Sequence, residues 1–299
     1  MLNRIAIIGV GLIGASFALA AKRSHSGLTI IGIDRDETSL RQAKERSAID
    51  AIGSIDEAAS CDLILLAIPV RQTAELLTAL APRLERHSVV IDAGSTKQNV
   101  IAAARAALGN RIDQFVPCHP IAGRERHGPM AAEASLFDGK NVVVTPLPEN
   151  TSSALAVAHA AWQSVGANVI EMPADSHDQV FAAVSHLPHM LAFSLVEGLA
   201  ARPNAKTLFA HAASGFRDFT RIASSSPEMW RDVALDNRDQ LLRELDAYAD
   251  NTKRLRELVA DGNADALEAF MRRAQEARER WLMGQLDQFN DNNQHHEST

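Results

Sequence analysis

Short apolar runs alternate with amphipathic segments along the first half of the chain. The runs lie at residues 4–8, 28–33, 62–68, 88–93, 114–118 and 141–146, and a further short run lies at 167–172. They are almost wholly apolar, which is typical of strands that helices cover on both faces. Their alternation with helical periodicity predicts βαβ units and an α/β fold with a mainly parallel, doubly wound sheet.

The second half of the chain has a different pattern. From Pro173 onward, stretches such as 177–200 and 264–286 show the three-and-four spacing of helices. We therefore predict an α/β domain over residues 1–172 and an all-α domain over residues 173–290. The polar end, residues 291–299, has nothing to bury and is expected to be disordered.

A glycine-rich turn follows the first predicted strand. Its sequence GVGLIG matches the GxGxxG pattern, in which a strand-to-helix turn binds the pyrophosphate of a dinucleotide. The turn residues expected to contact the cofactor are Gly9, Gly11, Leu12, Ile13 and Gly14. Asp34, at the end of the second strand, would accept hydrogen bonds from the adenosine ribose. A carboxylate repels a 2′-phosphate, so NAD is favoured over NADP, although Arg35 beside it acts in the other direction. These features predict a Rossmann-type domain.

Candidate chemistry collects at the carboxyl ends of the other strands, where ligands of doubly wound sheets bind. Those ends carry Ile68 with Pro69, then Ser95, then His119. A histidine there, supported by the stiff backbone of Pro120, could take the proton of a hydroxyl while hydride leaves the same carbon. His119 is therefore the candidate catalytic base.

Ser95 and Lys97 lie between a strand and a helix. The Ser95 hydroxyl could face the cofactor, could cap the helix that follows, or could do both. Lys97 is expected in the first helical turn, where its charge is unfavourable with the helix dipole. It would either assist with an anion or be exposed.

The helical half contributes two clusters. Ser185 and His189 are spaced to share one helical face, with His186 nearby, and Pro188 should kink that helix or begin a new one. No HExxH pattern and no neighbouring carboxylate completes a zinc ligand set, so no metal site is predicted.

The second cluster is a pair of arginines. Arg217 and Arg221 are four residues apart, and their charges need neutralising either by carboxylates of the protein or by an anionic substrate. The residues alone leave both alternatives open.

Composition excludes several classes of function. A net charge of −7 argues against general affinity for nucleic acid or anionic lipid. No apolar stretch approaches the roughly 20 residues of a membrane span, and the N-terminus does not read as a secretory signal. Cys61 and Cys118 are expected to be small core residues. These observations predict a cytoplasmic protein without membrane or nucleic-acid partners.

Taken together, the motifs resemble those of the prephenate and arogenate dehydrogenases. The segments GVGLIGAS, DAGSTK, HPIAGRERHG, HDQVFAAVSHLPH and GFRDFTRIASSSPEMW occur in this order along the chain. The resemblance implies a Rossmann domain followed by a helical domain that forms the homodimer, with the active site between them. It also implies oxidative decarboxylation of prephenate, or of arogenate, with NAD in tyrosine biosynthesis.

The resemblance further implies roles for individual residues. His119 would act as the base on the ring hydroxyl, and Ser95 would orient that hydroxyl and His119. Arg221 would hold a substrate carboxylate, and His189 with Ser185 would line the pocket. Trp230 would lie near the active site or pack in the core. Inhibition by tyrosine would act at or near the active site, since no regulatory domain is expected.

Two other functions fit parts of the pattern. A β-hydroxyacid dehydrogenase or imine reductase also combines a GxGxxG domain with a helical domain, but uses a second-domain lysine or other groups. A dinucleotide sensor without turnover would bind NAD, but would not need Ser95, His119 and Arg221 as a set.

Overall fold

The predicted strands form two sheets in the computed structural model, which describes residues 2–123 and 127–285. The strands are β1 Arg4–Ile8, β2 Thr29–Ile33, β3 Ala51–Ile52, β4 Leu63–Leu66, β5 Val89–Asp92, β6 Phe115–Val116, β7 Cys118–Pro120, β8 Asn141–Val144 and β9 Asn168–Glu171. The tail predicted over residues 291–299 lies outside the described residues.

Helices connect the strands in the first half and make up the second half. They are α1 Leu12–Ser24, α2 Glu37–Glu45, α3 Ile55–Ala58, α4 Thr73–Leu80, α5 Gln98–Leu108, α6 Ser152–Ser164, α7 Ala174–Phe181, α8 Leu187–Ala200, α9 Ala205–Ala210, α10 Ser214–Thr220, α11 Pro227–Asp236, α12 Arg238–Asp261 and α13 Ala264–Leu282. This order confirms the predicted α/β region followed by an all-α region.

The larger sheet has the strand order of a Rossmann fold. Its six strands are arranged β3-β2-β1-β4-β5-β6, and all neighbours are parallel. The order reverses between β1 and β4, which is where such sheets bind their ligands. The glycine-rich turn follows β1, so it lies at this reversal point. The predicted doubly wound sheet is therefore confirmed.

The smaller sheet differs from the prediction. Residues 114–118 were expected to form one strand, but Pro117 separates β6 from β7. Proline cannot donate a ladder hydrogen bond, so the chain leaves the larger sheet there. Strand β7 pairs antiparallel with β8, and β8 pairs parallel with β9. The strand that carries His119 is consequently the edge of a second sheet. The short edge strand β3 was also not predicted.

Both faces of the larger sheet are buried. Alternate residues of β1 and β4 point to opposite faces, with Ile7 and Leu65 in one apolar cluster and Ile8 and Leu66 in the other. Cys61 and Cys118 are buried in these clusters, which confirms the prediction for both. Burial raises the pKa of each thiol. The apolar strands of the sequence therefore reflect coverage by helices on both sides.

The helical half begins with a continuous run, Ala174–Ala200. Helix α7 passes through a π-helical turn, Ala182–His186, into α8, and Pro188 lies in the first turn of α8. The π-helical turn directly before the proline changes the hydrogen-bond pattern locally, since the Leu187 N–H donates to the Ala182 carbonyl oxygen, and such turns are places where a helical run departs from regular α-helix. Among the described residues, this run is the one helix that is long and apolar enough to cross a membrane. It nevertheless carries buried polar residues, described below, so its length and composition alone do not make it a membrane span.

The chain divides into two compact units. The first ends at Leu242 and therefore includes the sheets together with α7–α11. The second begins at Arg243, within α12, and contains α13, whose N-cap Asn263 accepts a hydrogen bond from the Ala266 N–H. Every residue of the candidate site belongs to the first unit.

Candidate active site

The glycine-rich turn has little room for side chains at two of its three glycines. Gly9 has φ +93°, and a Cβ atom there would lie 2.3 Å from the carbonyl oxygen of Ala67. A Cβ atom at Gly14 would lie 2.1 Å from the Gly9 carbonyl oxygen. Both distances are far inside van der Waals contact, so the turn brings β1, α1 and the end of β4 together only with glycine.

Gly11 differs from these two glycines. No atom of the described residues lies within 4 Å of the position that a Cβ atom at Gly11 would occupy. Gly11 is also the N-cap of α1, where no side chain caps the helix and no acidic residue lies in the first turn. The exposed N–H groups and the helix dipole favour an anion there. The turn therefore fits a pyrophosphate, with the partly buried Leu12 and Ile13 packed against the core below it.

Asp34 is held at the end of β2 by the backbone. Its Oδ2 atom accepts a hydrogen bond from the Val10 N–H at 2.9 Å, and its Oδ1 atom accepts one from the Asp36 N–H at 2.9 Å. Each carboxylate oxygen can accept a further hydrogen bond. Asp34 thus lies against the glycine-rich turn with acceptor capacity for a ribose.

The next strand end is also adjacent to this turn. A Cβ atom at Gly9 would lie 3.0 Å from Cγ2 of Ile68, which is half-buried together with Pro69. The predicted cofactor residues at the ends of β1, β2 and β4 are therefore neighbours in the structure.

Ser95 is half-buried beyond the end of β5. Its hydroxyl makes no hydrogen bond to any described residue. The predicted N-cap role is wrong, because α5 begins at Gln98 and its N-cap is Lys97. The helix is capped from another element instead: Oδ1 of Asp178 accepts from the Lys97 N–H at 2.8 Å, and Oδ2 from the Gln98 N–H at 2.9 Å. The Ser95 hydroxyl is therefore left available.

The expectation that Lys97 is exposed is wrong. Its side chain is fully buried, and Nζ lies 2.5 Å from Oδ2 of Asp92. Asp92 also accepts hydrogen bonds from the Gly94 N–H at 2.9 Å and from the Cys118 N–H at 2.8 Å. This buried carboxylate ties the Ser95 loop to the residue before His119. The Asp92 carboxylate thereby connects the two segments that carry the candidate catalytic residues.

His119 stands at one end of a chain of hydrogen bonds. Its Nδ1 atom lies 2.8 Å from Nε2 of His177, and Nδ1 of His177 lies 2.8 Å from Oδ1 of Asp178. The Phe181 ring contacts both imidazoles, with centroid distances of 4.8 and 4.6 Å. His119 is only 8% exposed and His177 is fully buried. Water is therefore largely excluded from the hydrogen-bonded chain.

Burial keeps the histidines of the site neutral. It is the main cause that lowers the pKa of His119 well below its ordinary value, and the neighbouring His177 and Lys97 act in the same direction. Burial also lowers the pKa of His177, against the opposing effect of Asp178. The pKa of Asp178 is lowered too, since hydrogen bonds from His177 and two backbone N–H groups outweigh its burial. At neutral pH this series of hydrogen-bonded side chains therefore consists of two neutral imidazoles, His119 and His177, and the Asp178 carboxylate.

A second group of rings lies on the same helical run. His189 stacks on Trp230 with ring centroids 3.6 Å apart, and His186 meets Trp230 edge to face at 6.0 Å. The His189 Nδ1–H donates to the Ser185 carbonyl oxygen at 2.8 Å, which leaves Nε2 as an acceptor. Nε1 of Trp230 is buried without a hydrogen-bond partner among the described residues. The predicted pocket residues Ser185, His189 and Trp230 are therefore in contact.

His186 joins this group to the first one. Asn237 donates to the Asp178 carbonyl oxygen at 2.7 Å and lies 3.2 Å from Nδ1 of His186. Burial lowers the pKa of His186 to about 4. Its Nε2 atom is buried without a hydrogen-bond partner in the part of the chain that the structure describes, and the Ser95 backbone opposes the effect of burial on the His186 pKa. The neutral ring thus lies between the Ser95 loop and Trp230.

The two arginines do not share a regular helical face. Helix α10 ends at Thr220, and the exposed Arg221 begins a 3₁₀ turn, Arg221–Ser224. That turn packs against α8, the helix that carries His189. Arg217 is exposed within α10. Arg221 is therefore placed on the element next to the pocket residues.

Several residues of the site had no role predicted from the sequence. They are Asp92, His177, Asp178, His186 and Asn237. The adjacent His177 and Asp178 at the start of an apolar helical run were the available signal, because buried charged residues need partners. Among the described residues no group of three His, Cys, Asp or Glu side chains could hold a metal ion.

Comparison with known families identifies two consecutive matches. The family model described as the nucleotide-binding domain of prephenate dehydrogenase matches residues 17–171. The model described as the dimerization domain of prephenate dehydrogenase matches residues 173–273. Together they cover most of the chain.

Individual relatives agree with these matches. The cyclohexadienyl dehydrogenase of Zymomonas mobilis is 36% identical over 281 residues, which cover 92% of this chain and 95% of that protein. The prephenate dehydrogenase of Bacillus subtilis is 37% identical over 286 residues, which cover 93% of this chain and 76% of that protein. The crystal structure of prephenate dehydrogenase from A. aeolicus with hydroxyphenyl propionate and NAD⁺ is 33% identical, with a TM-score of 0.87 over 94% of this chain and 98% of that chain.

Proposed function

Because this chain belongs to the prephenate dehydrogenase family, we propose that it catalyses the NAD-dependent oxidative decarboxylation of prephenate to 4-hydroxyphenylpyruvate in tyrosine biosynthesis. The observation that carries the proposal is the buried neutral His119, which follows the carboxyl end of the Rossmann strand β6 by three residues and has its Nδ1 atom engaged by His177. That arrangement leaves Nε2 as the proton acceptor.

The first unit holds the residues that fit NAD. The uncapped N-terminus of α1 at Gly11 would bind the pyrophosphate, and Asp34 would accept hydrogen bonds from the adenosine ribose. Ile68, Pro69 and Ser95 would line the cofactor site at the next strand ends. NAD, when bound, supplies the acceptor for the hydride that the substrate carbon loses. The NAD⁺ in the A. aeolicus relative supports NAD as the cofactor.

His119 handles the only proton that moves. Its Nε2 atom takes the proton of the ring hydroxyl while the carbon bearing that hydroxyl is oxidised. Loss of the opposite ring carboxylate as carbon dioxide then leaves its electron pair in the ring, which becomes aromatic. The resulting phenolate oxygen recovers the proton from His119, so the reaction releases no net proton. A single base in a dry site is sufficient for this sequence.

The remaining residues would bind and orient the substrate. The free hydroxyl of Ser95 would orient the ring hydroxyl toward His119. Arg221 would pair with a substrate carboxylate, and the group of Ser185, His189 and Trp230 would form the pocket wall. The bare Nε2 of His189 and the unpartnered Nε1 of Trp230 offer one acceptor and one donor there.

Finer aspects of specificity are part of the same proposal. The Asp34 carboxylate favours NAD over NADP because it would repel a 2′-phosphate. Prephenate is the proposed substrate, and arogenate is the alternative, since the two differ only in the side-chain keto or amino group. Tyrosine, whose phenol resembles that of the product, would inhibit by binding in the active site. The two alternative functions are a β-hydroxyacid dehydrogenase or imine reductase and a non-catalytic dinucleotide sensor. The match to the prephenate dehydrogenase family disfavours both.

We also propose a cytoplasmic homodimer with a functional boundary between residues 172 and 173. The residues matched by the dimerization domain carry exposed apolar side chains on several helices, including Leu195, Phe209, Leu242 and Met271. Such side chains are typical of a surface that a second copy covers. The two cysteines are free and buried, which fits a reducing compartment.

The test is NADH or NADPH formation by the purified protein with prephenate and arogenate, each offered with NAD and with NADP. Turnover of prephenate with NAD is expected, with competitive inhibition by tyrosine. Turnover of arogenate but not of prephenate would change the assigned substrate to arogenate and leave the proposed mechanism unchanged. If NAD binds and all four combinations stay silent, the proposed reaction is wrong. Light scattering on the same sample tests the dimer.

A further inference from the structure

We propose that His177 and Asp178 are positioning residues, which hold His119 in the one tautomer whose Nε2 atom can accept a proton. The inference rests on the proposed function insofar as it concerns turnover. The geometric part, which nitrogen of His119 carries hydrogen, stands by itself and can be measured in the absence of any substrate.

The tautomers follow from the hydrogen-bonded chain, beginning at its carboxylate. An ionised carboxylate only accepts hydrogen bonds, so the His177 nitrogen at 2.8 Å from Asp178, Nδ1, must carry hydrogen. In a neutral imidazole the other nitrogen is then bare, so Nε2 of His177 is an acceptor. The His119 nitrogen at 2.8 Å from it, Nδ1, must therefore carry hydrogen. This leaves Nε2 of His119 bare, which is the state that a general base requires.

Asp178 is well placed to enforce this order because it cannot turn away. Its two carboxylate oxygens accept the Lys97 and Gln98 N–H groups at 2.8 and 2.9 Å, and its carbonyl oxygen accepts from Asn237 at 2.7 Å. These bonds attach the carboxylate to the helix that follows Ser95. The same residue thus sets the His119 tautomer and the position of the Ser95 loop.

The hydrogen bonds from His119 through His177 to Asp178 also stabilise His119 after it has been protonated. When Nε2 of His119 takes the substrate proton, the imidazolium keeps its Nδ1–H bond to His177, and His177 keeps its bond to Asp178. The negative charge of Asp178 then acts on the new positive charge across one neutral ring, in a site with little water. A carboxylate bonded directly to a catalytic histidine contributes about 10⁴ in kcat in serine proteases. Because His177 intervenes here, we expect a smaller effect, about 10-fold to 100-fold.

The first test is nitrogen NMR of the histidine rings in the full-length protein at neutral pH, with His119 assigned by comparison with His119→Asn. We expect wild-type His119 to carry hydrogen on Nδ1. In His177→Leu, which removes the acceptor, that preference should disappear. If wild-type His119 instead carries hydrogen on Nε2, the proposal is overturned whether or not prephenate is the substrate.

The second test is kinetic. His177→Leu should lower kcat for prephenate by about 10-fold to 100-fold, while KM and the Kd for NAD change less than about twofold. His177→Gln should recover most of kcat, because its side-chain oxygen can accept from the His119 Nδ1–H. The matched control is His87→Leu, a half-exposed histidine just before the amino end of β5, on the opposite edge of the sheet.

A double variant separates positioning from general loss of structure. In the His119→Asn background, His177→Leu should cause no further fall in kcat, since His177 acts only through His119. If His177→Leu lowers kcat by the same factor in the His119→Asn background as in the wild type, the proposal is overturned. A wild-type kcat in the single variant His177→Leu would also overturn it. A wild-type protein that does not turn over prephenate would overturn the proposed function alone, because the NMR test would still stand.

Discussion

Nδ1 of His119 lies 2.8 Å from Nε2 of His177, although the two residues belong to different halves of the sequence. His119 lies in strand β7 of the smaller sheet, and His177 lies in the first helix of the helical half. The contact therefore requires both halves to be folded together. Substitutions on either side of it should affect the proposed base without touching the cofactor turn.

Substitutions of Gly9 and Gly11 in the glycine-rich turn should have different effects, one on stability and the other on cofactor binding. Gly9→Ala places a Cβ atom 2.3 Å from a carbonyl oxygen at a φ of +93°, so it should lower the free energy of unfolding by more than about 1 kcal/mol. The methyl group of Gly11→Ala meets no atom of residues 2–123 or 127–285 within 4 Å, so Tm should stay unchanged. Because its methyl group would stand where the pyrophosphate approaches, the Kd for NAD should rise at least about 10-fold, which is ~1.4 kcal/mol.

Calorimetry for Tm and titration with NAD provide the two measurements. Wild-type affinity for NAD in Gly11→Ala would place the pyrophosphate elsewhere.

Arg221 should act on substrate binding. A charged hydrogen bond contributes ~1.5 to 3 kcal/mol, so Arg221→Ala should raise KM for prephenate by about 10-fold to 100-fold. The Kd for NAD should stay unchanged, because the cofactor residues lie on other elements. The control is Arg83→Ala, which removes an exposed ion pair with Asp56. Steady-state kinetics with prephenate varied at saturating NAD measures the effect, and an unchanged KM would remove Arg221 from the substrate site.

The buried ion pair of Lys97 and Asp92 should be costly to break. Lys97→Met leaves the Asp92 carboxylate without its charged partner, and such a loss costs about 3 to 5 kcal/mol of stability. Arg41→Met is the matched control, since it removes an exposed pair with Glu37 that is worth less than about 1 kcal/mol. Chemical denaturation compares the two variants. Equal losses of stability would mean that Lys97 is not buried as described.

Stability should also fall in mild acid. Burial lowers the pKa of His119, His177, His186 and His189 in the folded protein. The unfolded chain protonates these rings near pH 6.5, so it binds more protons than the folded chain below that pH. The free energy of unfolding should therefore fall as pH falls from about 7 to about 5.

His186, with a pKa of about 4, is one of the rings that produce this slope. His186→Asn should have a shallower slope than the wild type in denaturation experiments at a series of pH values. A flat profile between pH 7 and pH 5 in the wild type would contradict the buried neutral histidines.

Local patterns predicted the parts of the fold that depend on neighbouring residues. The apolar runs located most strands within a residue or two, because strands buried on both faces need no polar positions. The glycine pattern located the tight turn between β1 and α1, because the backbone there leaves no room for a side chain at Gly9 and Gly14. Strand order and sheet direction predicted Ser95 and His119 at one edge of a single sheet, but His119 lies on β7 of the smaller sheet.

Contacts between distant segments could not be read in the same way. The bond between His119 and His177 spans 58 positions, and the capping of α5 by Asp178 spans 80 and 81 positions. Lys97 looked like a surface residue because its partner, Asp92, ends a strand on the other side of a turn. The break at Pro117 became visible only when the second sheet was seen to pair β7 with β8. Each of these features depends on tertiary packing.

The most direct test of the account is kcat of His119→Asn with prephenate and NAD, measured beside the Kd for NAD. Removal of a general base should lower kcat by roughly 10²-fold to 10⁴-fold, while NAD binds as in the wild type. Wild-type kcat in this variant, with NAD affinity also intact, would contradict the assignment of His119 as the base.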